Sequence, residues 1–244
     1  MPRNDQLRKA YDYIQNKLAG GEFEPGQKLS RRKLAEEIGV SPALVQHALG
    51  QLERAGLVDC RPQSGTYVRE FTVQEYADLC ELRDLIEPYA AARAAERINE
   101  QQLLILDNSC DRFESWELMV PNTVDSHELW KIHREIIDEE RIFHGTILTA
   151  AANSLLATLS QSLRLLAQVR HNFAGTTLVL TPNVAAEHRG IVDALRAHDP
   201  ELARERMLEH LRVGRERFQD RLREENTAKS VQPGRTRKTS ATVE

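Results

Sequence analysis

The sequence lacks an apolar run of the length that crosses a bilayer, about 18 to 20 residues. Its first residues, MPRNDQLRKA, do not contain the apolar core of a signal peptide. The three cysteines are an odd number without CxxC spacing, so neither a disulfide framework nor a thiolate zinc site is supported. Aromatic residues make up only 5% of the chain, which argues against a large aromatic-lined ligand cleft. We therefore expect a helical, cytoplasmic protein with no membrane partner.

Negative charge is unevenly distributed along the chain, whose formal net charge is -4. Residues 1–70 hold eleven Lys and Arg against nine Asp and Glu, and residues 226–244 hold four against one. The segment between them holds eighteen against twenty-seven and accounts for the acidity. Attraction to phosphate is local, because salt screens it beyond about 8 to 10 Å. A basic patch within the first segment is therefore compatible with an acidic protein.

The first seventy residues have the pattern of three helices. Apolar residues at three- and four-residue intervals predict a first helix that ends at a glycine pair: Leu7, Tyr11, Ile14 and Leu18. Ser30 is placed to cap a second helix that stops at Gly39. Ser41 and Pro42 are placed to begin a third, at the N-cap and the first helical position.

The third helix has an inward apolar stripe and therefore an outward face. The stripe comprises Leu44, Val45, Ala48, Leu49 and Leu52. Ala43, Gln46, His47 and Gly50 must then point away from it. After this helix, LVDC and TYVRE flank RPQSG and predict a hairpin wing with Gly65 in its turn. Two short helices joined so tightly can place the second one in the major groove of DNA.

These segments resemble the GntR family of bacterial transcription regulators. The matching strings, in the family's order, are GEFEPGQKLS, RKLAEEIGVS, VQHALGQLERAGLV and GTYV. The resemblance implies a winged helix-turn-helix that binds double-stranded operator DNA, in a protein that is not an enzyme. The alternative for such a domain is a role in protein contacts.

A DNA interface is predicted across the two helices and the wing. Its residues are Lys28, Arg31, Arg32, Lys33, Ser41, Pro42, Ala43, Gln46, His47, Ser64 and Gly65. Arg32 matches a position where the family usually has arginine, whereas the other three cations are candidate phosphate contacts. Family members often have arginine where this chain has Pro42 and Gln46. Glutamine pairs better with adenine than with guanine, so we predict an unusual operator contacted by Gln46 and His47.

The rest of the chain is predicted to be an antiparallel helical bundle, which makes the fold class mainly α. Breaks near 117–123, 153, 175–182 and 199–200 divide it into about six helices. Two strings, ERIFHGTILTAAAN and EHRGIVDALRAHDPELARERMLEHL, resemble the effector domain of the FadR subfamily, the FCD type. We expect a DNA-binding domain at 1–70, an effector-binding and dimerisation domain at 71–225, and a disordered basic tail at 226–244.

The FCD resemblance implies a divalent metal site formed by Glu140, His144, His188 and His210. Glu140 and His144 are four residues apart and share a helix face. Both remaining histidines lie on inward apolar stripes. Carboxylate and imidazole ligands suit zinc, nickel or manganese and do not distinguish between them. His133 could replace or supplement Glu140, and three other histidines are expected at the surface or in loops: His127, His171 and His198.

Arg83 is the candidate effector-binding residue. The predicted inward stripe of its helix is Leu79, Leu82, Ile86 and Ala90, and Arg83 borders it. A buried guanidinium needs an anionic partner. Glu87 is one candidate, and the family resemblance favours instead a small organic acid bound between Arg83 and the metal.

The sequence thus favours a homodimer that binds an inverted repeat and whose operator affinity is controlled by a small carboxylate. In a first alternative, the metal is itself the signal or is only structural. In a second, the ligand set activates water in a metal-dependent hydrolase. The sequence does not decide the operator, the regulated genes, or repression against activation.

Overall fold

A computed structural model describes residues 3–173 and 183–231. The amino-terminal elements are α1 (Arg3–Ala19), β1 (Lys28–Leu29), α2 (Arg31–Ile38), α3 (Pro42–Arg54), β2 (Val58–Arg61) and β3 (Gly65–Val68). The later helices are α4 (Val73–Ala95), α5 (Glu100–Met119), α6 (Ser126–Ala150), α7 (Ser154–Phe173), α8 (Val184–Arg196) and α9 (Pro200–Val231), with a short 3₁₀ turn over Val120–Asn122. The predicted mainly α class is confirmed.

The helix-turn-helix forms where the caps predict it. The Ser30 side chain accepts a hydrogen bond from the Lys33 amide at 3.3 Å, and Gly39 ends α2 in the left-handed conformation. Ser41 accepts from the Leu44 amide at 3.3 Å, and Pro42 is the first residue of α3. These side chains satisfy amides that a helix start leaves without partners. The link between the two helices is therefore fixed by local chemistry.

The wing is a three-stranded antiparallel sheet with the order β1-β3-β2. Lys28 pairs with Tyr67, and Arg61 pairs with Gly65. Gly65 was predicted within the turn, but it begins β3, with a φ of 122°, and the turn before it contains Gln63 with a φ of 60°. The strand β1 was not predicted, because two residues give no alternation to recognise.

The amino-terminal core is built from the faces that the sequence assigned to it. The predicted stripe of α3 is buried, as are Ile14 and Leu18 of α1. Leu34, Ala35 and Ile38 of α2 are buried beside them. Two leucines of α7, Leu165 and Leu166, pack against this core from the helical bundle. The two parts of the protein therefore share an apolar contact.

Six α-helices follow the wing in the described ranges, as predicted. Their main core includes Leu106, Phe143, Ile147, Ile191 and Leu195, all of which are almost completely buried. The predicted break at 175–182 lies outside the described residues. The break at 117–123 is the 3₁₀ turn, and the break at 153 is the loop between α6 and α7.

The predicted inward stripe of α4 is confirmed at Leu79 and Ala90, which are buried, and is wrong at Leu82, which is 47% exposed. Glu87 is buried and Arg83 is mostly buried, so a hydrogen-bonded ion pair occupies part of the interior that the stripe assigned to Leu82. Leu85 and Tyr89 are exposed on the same outer side.

The helix α9 extends through Val231, six residues into the segment predicted as a disordered tail. No helix-breaking glycine or proline occurs there before Pro233, so the helix has no local reason to stop. Residues 232–244 lie outside the described residues. Among the described helices, none is long and apolar enough to span a membrane.

Two polar contacts join the bundle to the winged domain. Arg134 of α6 contacts Glu22 at 2.5 Å, and Arg69 contacts Glu75 at 2.5 Å across the linker. Thr72 and Glu75 form a capping box that begins α4 directly after the wing. The linker is therefore short and hydrogen-bonded at both ends.

Candidate metal centre and nucleic-acid interface

Three helices bring the four predicted metal ligands together. Glu140 and His144 lie on α6, His188 lies on α8, and His210 lies on α9. One ligand atom from each residue lies within 4.8 Å of the corresponding atoms of the others. His133 is also buried, but it does not belong to this group.

Packing fixes the His188 ring within this group. The ring stacks on Phe143 at a centroid distance of 4.1 Å and meets the edge of Phe113 at 4.5 Å. His188 is completely buried, and neither ring nitrogen has a hydrogen-bond partner among the described residues. Glu140 Oε1 lies 3.7 Å from His188 Nε2. Buried polar atoms are rarely left without partners, and a metal ion would supply one.

Electrostatics keep three of these groups, Glu140, His144 and His188, in the protonation states that metal ligands need. Burial lowers the pKa of His188 well below its usual range, and burial together with Arg164 lowers that of His144. Burial would raise the pKa of Glu140, but its interactions with His188 and His144 outweigh this effect and hold the pKa well below the usual range. Neutral imidazole and ionised carboxylate are the forms that bind metal.

A second set of charges surrounds the four residues. Glu87 is 2% exposed and accepts from Arg83 Nε at 2.6 Å and from Arg164 Nη1 at 2.8 Å. Its Oε2 also lies 3.1 Å from His144 Nδ1. Although burial opposes ionisation, the charges of Arg83 and Arg164 hold the pKa of Glu87 well below its usual range. Glu87 therefore links α4, α6 and α7 as a buried anion.

His210 has its own anionic partner. Its Nδ1 lies 3.0 Å from Glu187 Oε2, and Arg217 contacts the other Glu187 oxygen at 2.8 Å. An outer carboxylate of this kind orients an imidazole ligand so that its second nitrogen faces the site. Of the histidines predicted outside the site, His127 and His198 are exposed, and the side chain of His171 lies outside what the structure describes.

A cavity of about 1110 Å³ opens beside the four residues. Arg83, Glu140, Arg164 and His210 line one part of it, and Tyr11 of α1 lines another. The cavity thus extends from the histidine cluster to the winged domain. A small anion that entered the part beside the histidine cluster would meet the guanidinium groups of Arg83 and Arg164.

The predicted DNA-contacting residues lie between Lys28 and Gly65 of the winged domain, most of them in α2 and at the start of α3. All of them are exposed except Gly65, which is half-buried. Arg31 of α2 donates a hydrogen bond to the side-chain oxygen of Gln46 on α3. Arg32 instead contacts Glu36 on its own helix at 3.2 Å.

Sequence reasoning missed several residues at these sites, among them Arg61 and Arg164. Arg61 of the wing lies over the Tyr67 ring, with its guanidinium carbon 4.5 Å from the centroid. Cation–aromatic spacing across a hairpin becomes visible only once the strand register is known. Arg164 lies in a leucine-rich helix with no motif, and nothing in the sequence pattern distinguishes it from a surface arginine.

Comparison with known families follows the same division of the chain. Residues 6–68 match the family described as bacterial regulatory proteins, gntR family, and residues 78–213 match the FCD domain. The chain belongs to the GntR family of FCD-type transcription regulators. It is a DNA-binding regulator, and the expectation that it is not an enzyme is confirmed by these matches and by the relatives that it resembles.

Two curated relatives match most of this GntR-family chain. An uncharacterized HTH-type transcriptional regulator, YdhC of Bacillus subtilis (strain 168), is 22% identical over 82% of this chain and 85% of its own length. The probable D-xylose utilization operon transcriptional repressor of Paenarthrobacter nicotinovorans is 25% identical over 86% and 88%.

Two solved structures share the fold. Escherichia coli McbR/YncC matches with a TM-score of 0.74 and 19% identity over 88% of this chain and 98% of its own. A putative GntR regulator from Rhodococcus sp. RHA1 matches with a TM-score of 0.70 and 16% identity over the same shares. These similarities support the winged domain followed by a helical bundle.

We predict that Glu87→Gln destabilises the protein by about 3 to 5 kcal/mol, because it leaves two buried guanidinium groups without a carboxylate. The matched control is Glu96→Gln, which removes the 44%-exposed partner of Arg93 and should cost about 0 to 1 kcal/mol. Urea unfolding followed by circular dichroism measures both. Equal small losses in the two variants would contradict a structural role for Glu87.

Proposed function

We propose that this regulator binds an operator as a homodimer and that a small carboxylate, bound at a metal-containing pocket in the helical bundle, controls its operator affinity. The observation that carries this proposal is the convergence of Glu140 and three histidines beside two buried arginines. We propose that it acts in the cytoplasm, where its DNA target is. Repression is the action we favour, because relatives of the chain include named repressors.

We propose that the amino-terminal end of α3 enters the major groove. Ser41, Pro42 and Ala43 are exposed at the start of the helix, and Gln46 and His47 follow on the same outward face. Lys28, Arg31, Arg32 and Lys33 would contact phosphates or bases beside it, and Ser64 and Gly65 would approach the backbone from the wing. Phosphate contacts position such a domain, and contacts to base edges give it specificity.

Glu140, His144, His188 and His210 would hold a divalent metal. The two unpartnered nitrogens of the buried His188 support this assignment, because a metal would satisfy one of them. Three imidazoles and a carboxylate are compatible with zinc, nickel or manganese. When bound, the metal would supply a positive centre that attracts and orients a carboxylate. The distances from Glu140 to His144 and His188, 3.3 and 3.7 Å, favour Glu140 over His133 as the fourth ligand.

Arg83 and Arg164 would recognise the effector carboxylate. Both line the cavity, and each is 16% exposed at the side chain. In the structure both contact Glu87, so an incoming carboxylate would compete with Glu87 for guanidinium hydrogen bonds. Because arginine offers five donors, it can bind Glu87 and a ligand at the same time or transfer from one to the other.

The helix α7 would transmit this exchange to the DNA-binding domain. Arg164 faces the pocket, and the next two residues, Leu165 and Leu166, pack against the winged core. A shift of Arg164 therefore moves side chains that touch the other domain. The resulting change in operator affinity cannot exceed the difference in ligand affinity between the two arrangements, which is commonly about 1 to 3 kcal/mol.

Dimer formation would use the outer side of the bundle. Leu82, Leu85 and Tyr89 lie within a narrow stripe of α4 and are exposed, as are Leu155 and Leu159 of the adjacent α7. Several exposed apolar side chains on neighbouring helices are typical of a contact surface. A two-fold dimer through this side would present two winged domains to an inverted repeat.

The first prediction from this proposal concerns the operator. Selection from a randomised duplex library should yield an inverted repeat that binds two chains and whose affinity falls with salt. Addition of Zn²⁺ with acetate, succinate or citrate should shift the dissociation constant by about 5- to 150-fold for at least one acid, measured by fluorescence anisotropy. An equal shift by metal alone would favour the metal as the signal. No salt-sensitive association with any duplex, in either liganded state, would overturn the proposal.

The second concerns the metal. Protein purified without added metal should contain a stoichiometric divalent ion by elemental analysis, and Zn²⁺ should raise the thermal midpoint of the metal-free protein. His188→Gln should abolish both effects, whereas the matched control His198→Gln, at an exposed position, should retain them. Substoichiometric metal that reconstitution does not restore in the unmodified protein would contradict the site.

A further inference from the structure

The helix α3, which we propose enters the major groove, has a single arginine. This residue, Arg54, is the last of the helix and lies far from its amino-terminal end. The exposed face near its start carries Gln46 and His47 instead. Guanine is most often recognised by a bidentate arginine. A guanidinium for that purpose would therefore have to come from another element.

Arg31 is placed to supply it. This residue begins α2, and its side chain crosses to α3, where Nη1 donates to the side-chain oxygen of Gln46. Both residues are exposed, so the contact lies on the surface that the proposed function turns toward DNA. Arg31 thus ends beside the outward face of α3 rather than beside the loop that precedes α2.

The contact changes what each side chain can offer to a base. Glutamine recognises adenine by accepting with its oxygen and donating with its nitrogen at once, but the Gln46 oxygen is already occupied by Arg31. A guanidinium has five N–H donors, so Arg31 retains enough of them for the two acceptors of guanine. Because glutamine is neutral, the pairing also leaves the charge of Arg31 uncompensated.

Arg32 and Lys33, the neighbouring cations of α2, differ from Arg31 in what their side chains contact. Arg32 contacts Glu36 along its own helix, with both side chains largely exposed to solvent. Lys33 is exposed and occupies the position whose amide is capped by Ser30. Within the described residues of α2, Arg31 is thus the arginine whose side chain reaches the outward face of α3.

We infer that Arg31, held in place by Gln46, is the residue that recognises a guanine in each half-site, so that one base-contacting unit is assembled from α2 and α3. The inference rests on the proposed DNA interface and replaces the expectation that Gln46 acts alone on adenine. Arg31 is then a specificity residue rather than a phosphate contact, and Gln46 is its positioning residue.

The test compares base preferences of full-length variants by selection from a randomised duplex library, followed by anisotropy titrations at several salt concentrations. Arg31→Ala should reduce the preference for guanine at one half-site position by about 10-fold or more. Arg31→Lys should lose the same preference but keep the salt dependence, since it retains the charge without the planar fork. Gln46→Ala should weaken the preference at that same position, and the double alanine variant should be no worse there than Arg31→Ala.

Lys33→Ala is the matched control, because it removes a cation from the same helix. It should weaken binding to all sequences alike and lower the salt slope by about 1, as a phosphate contact does. Arg31, Gln46 and Lys33 are exposed, so the thermal midpoints of all variants should equal that of the unmodified protein.

Two results would overturn the inference while leaving the proposed function intact. The first is an Arg31→Ala variant that behaves like Lys33→Ala, with every base preference unchanged. The second is an adenine preference that Gln46→Ala abolishes and Arg31→Ala preserves. Absence of any sequence-specific binding by the unmodified protein would overturn both the inference and the proposed function.

Discussion

The structure of the bundle depends on one buried carboxylate. The Glu87 carboxylate contacts Arg83 on its own helix and Arg164 on α7. It also lies 3.1 Å from Nδ1 of His144 on α6. An ionised carboxylate without such partners would be too costly to bury. The three contacts together fix the positions of α4, α6 and α7 around the histidine cluster. They also keep two arginines facing a cavity in which a further anion could replace some of these bonds.

This arrangement makes the pocket and the winged domain physically continuous. Arg164 precedes Leu165 and Leu166, whose half-buried side chains pack against the apolar core of the DNA-binding domain. Arg134, on the same helix as Glu140, contacts Glu22 at the end of α1. A ligand that changes the hydrogen bonding of Arg164 or the position of α6 therefore acts on helices that already touch the other domain. The proposed effector could therefore alter operator affinity without a separate relay of residues.

Local signals in the sequence predicted the DNA-binding half well, because caps and short-range stripes determine it. Ser30, Gly39 and Ser41 act on residues within four positions, and such contacts do not depend on the rest of the fold. The four candidate metal ligands followed from resemblance and from helical spacing. The burial of Arg83 was anticipated, and the exposure of Leu82 was not. The buried charges beside Arg83 could not be read from the pattern, because Arg164, the second arginine that contacts Glu87, lies 77 residues away on α7.

Like the contact between Arg164 and Glu87, the contact between Arg31 and Gln46 could not be predicted from the sequence pattern. The two residues are 15 positions apart, and their approach depends on the angle at which α2 and α3 are linked. Residue types alone suggested a phosphate contact and an adenine contact as separate features. The structure places them in one hydrogen-bonded unit, which changes the base that the pair is suited to recognise.

Coupling between the pocket and the winged domain can be measured by hydrogen–deuterium exchange on the full-length protein, with and without Zn²⁺ and a carboxylate that shifts operator affinity. If α7 couples them, exchange will change in α7 around Leu165 and Leu166 and in the facing part of α1, in addition to the helices that carry the histidines. Changes confined to α6, α8 and α9, under conditions in which operator affinity shifts fully, would contradict this coupling.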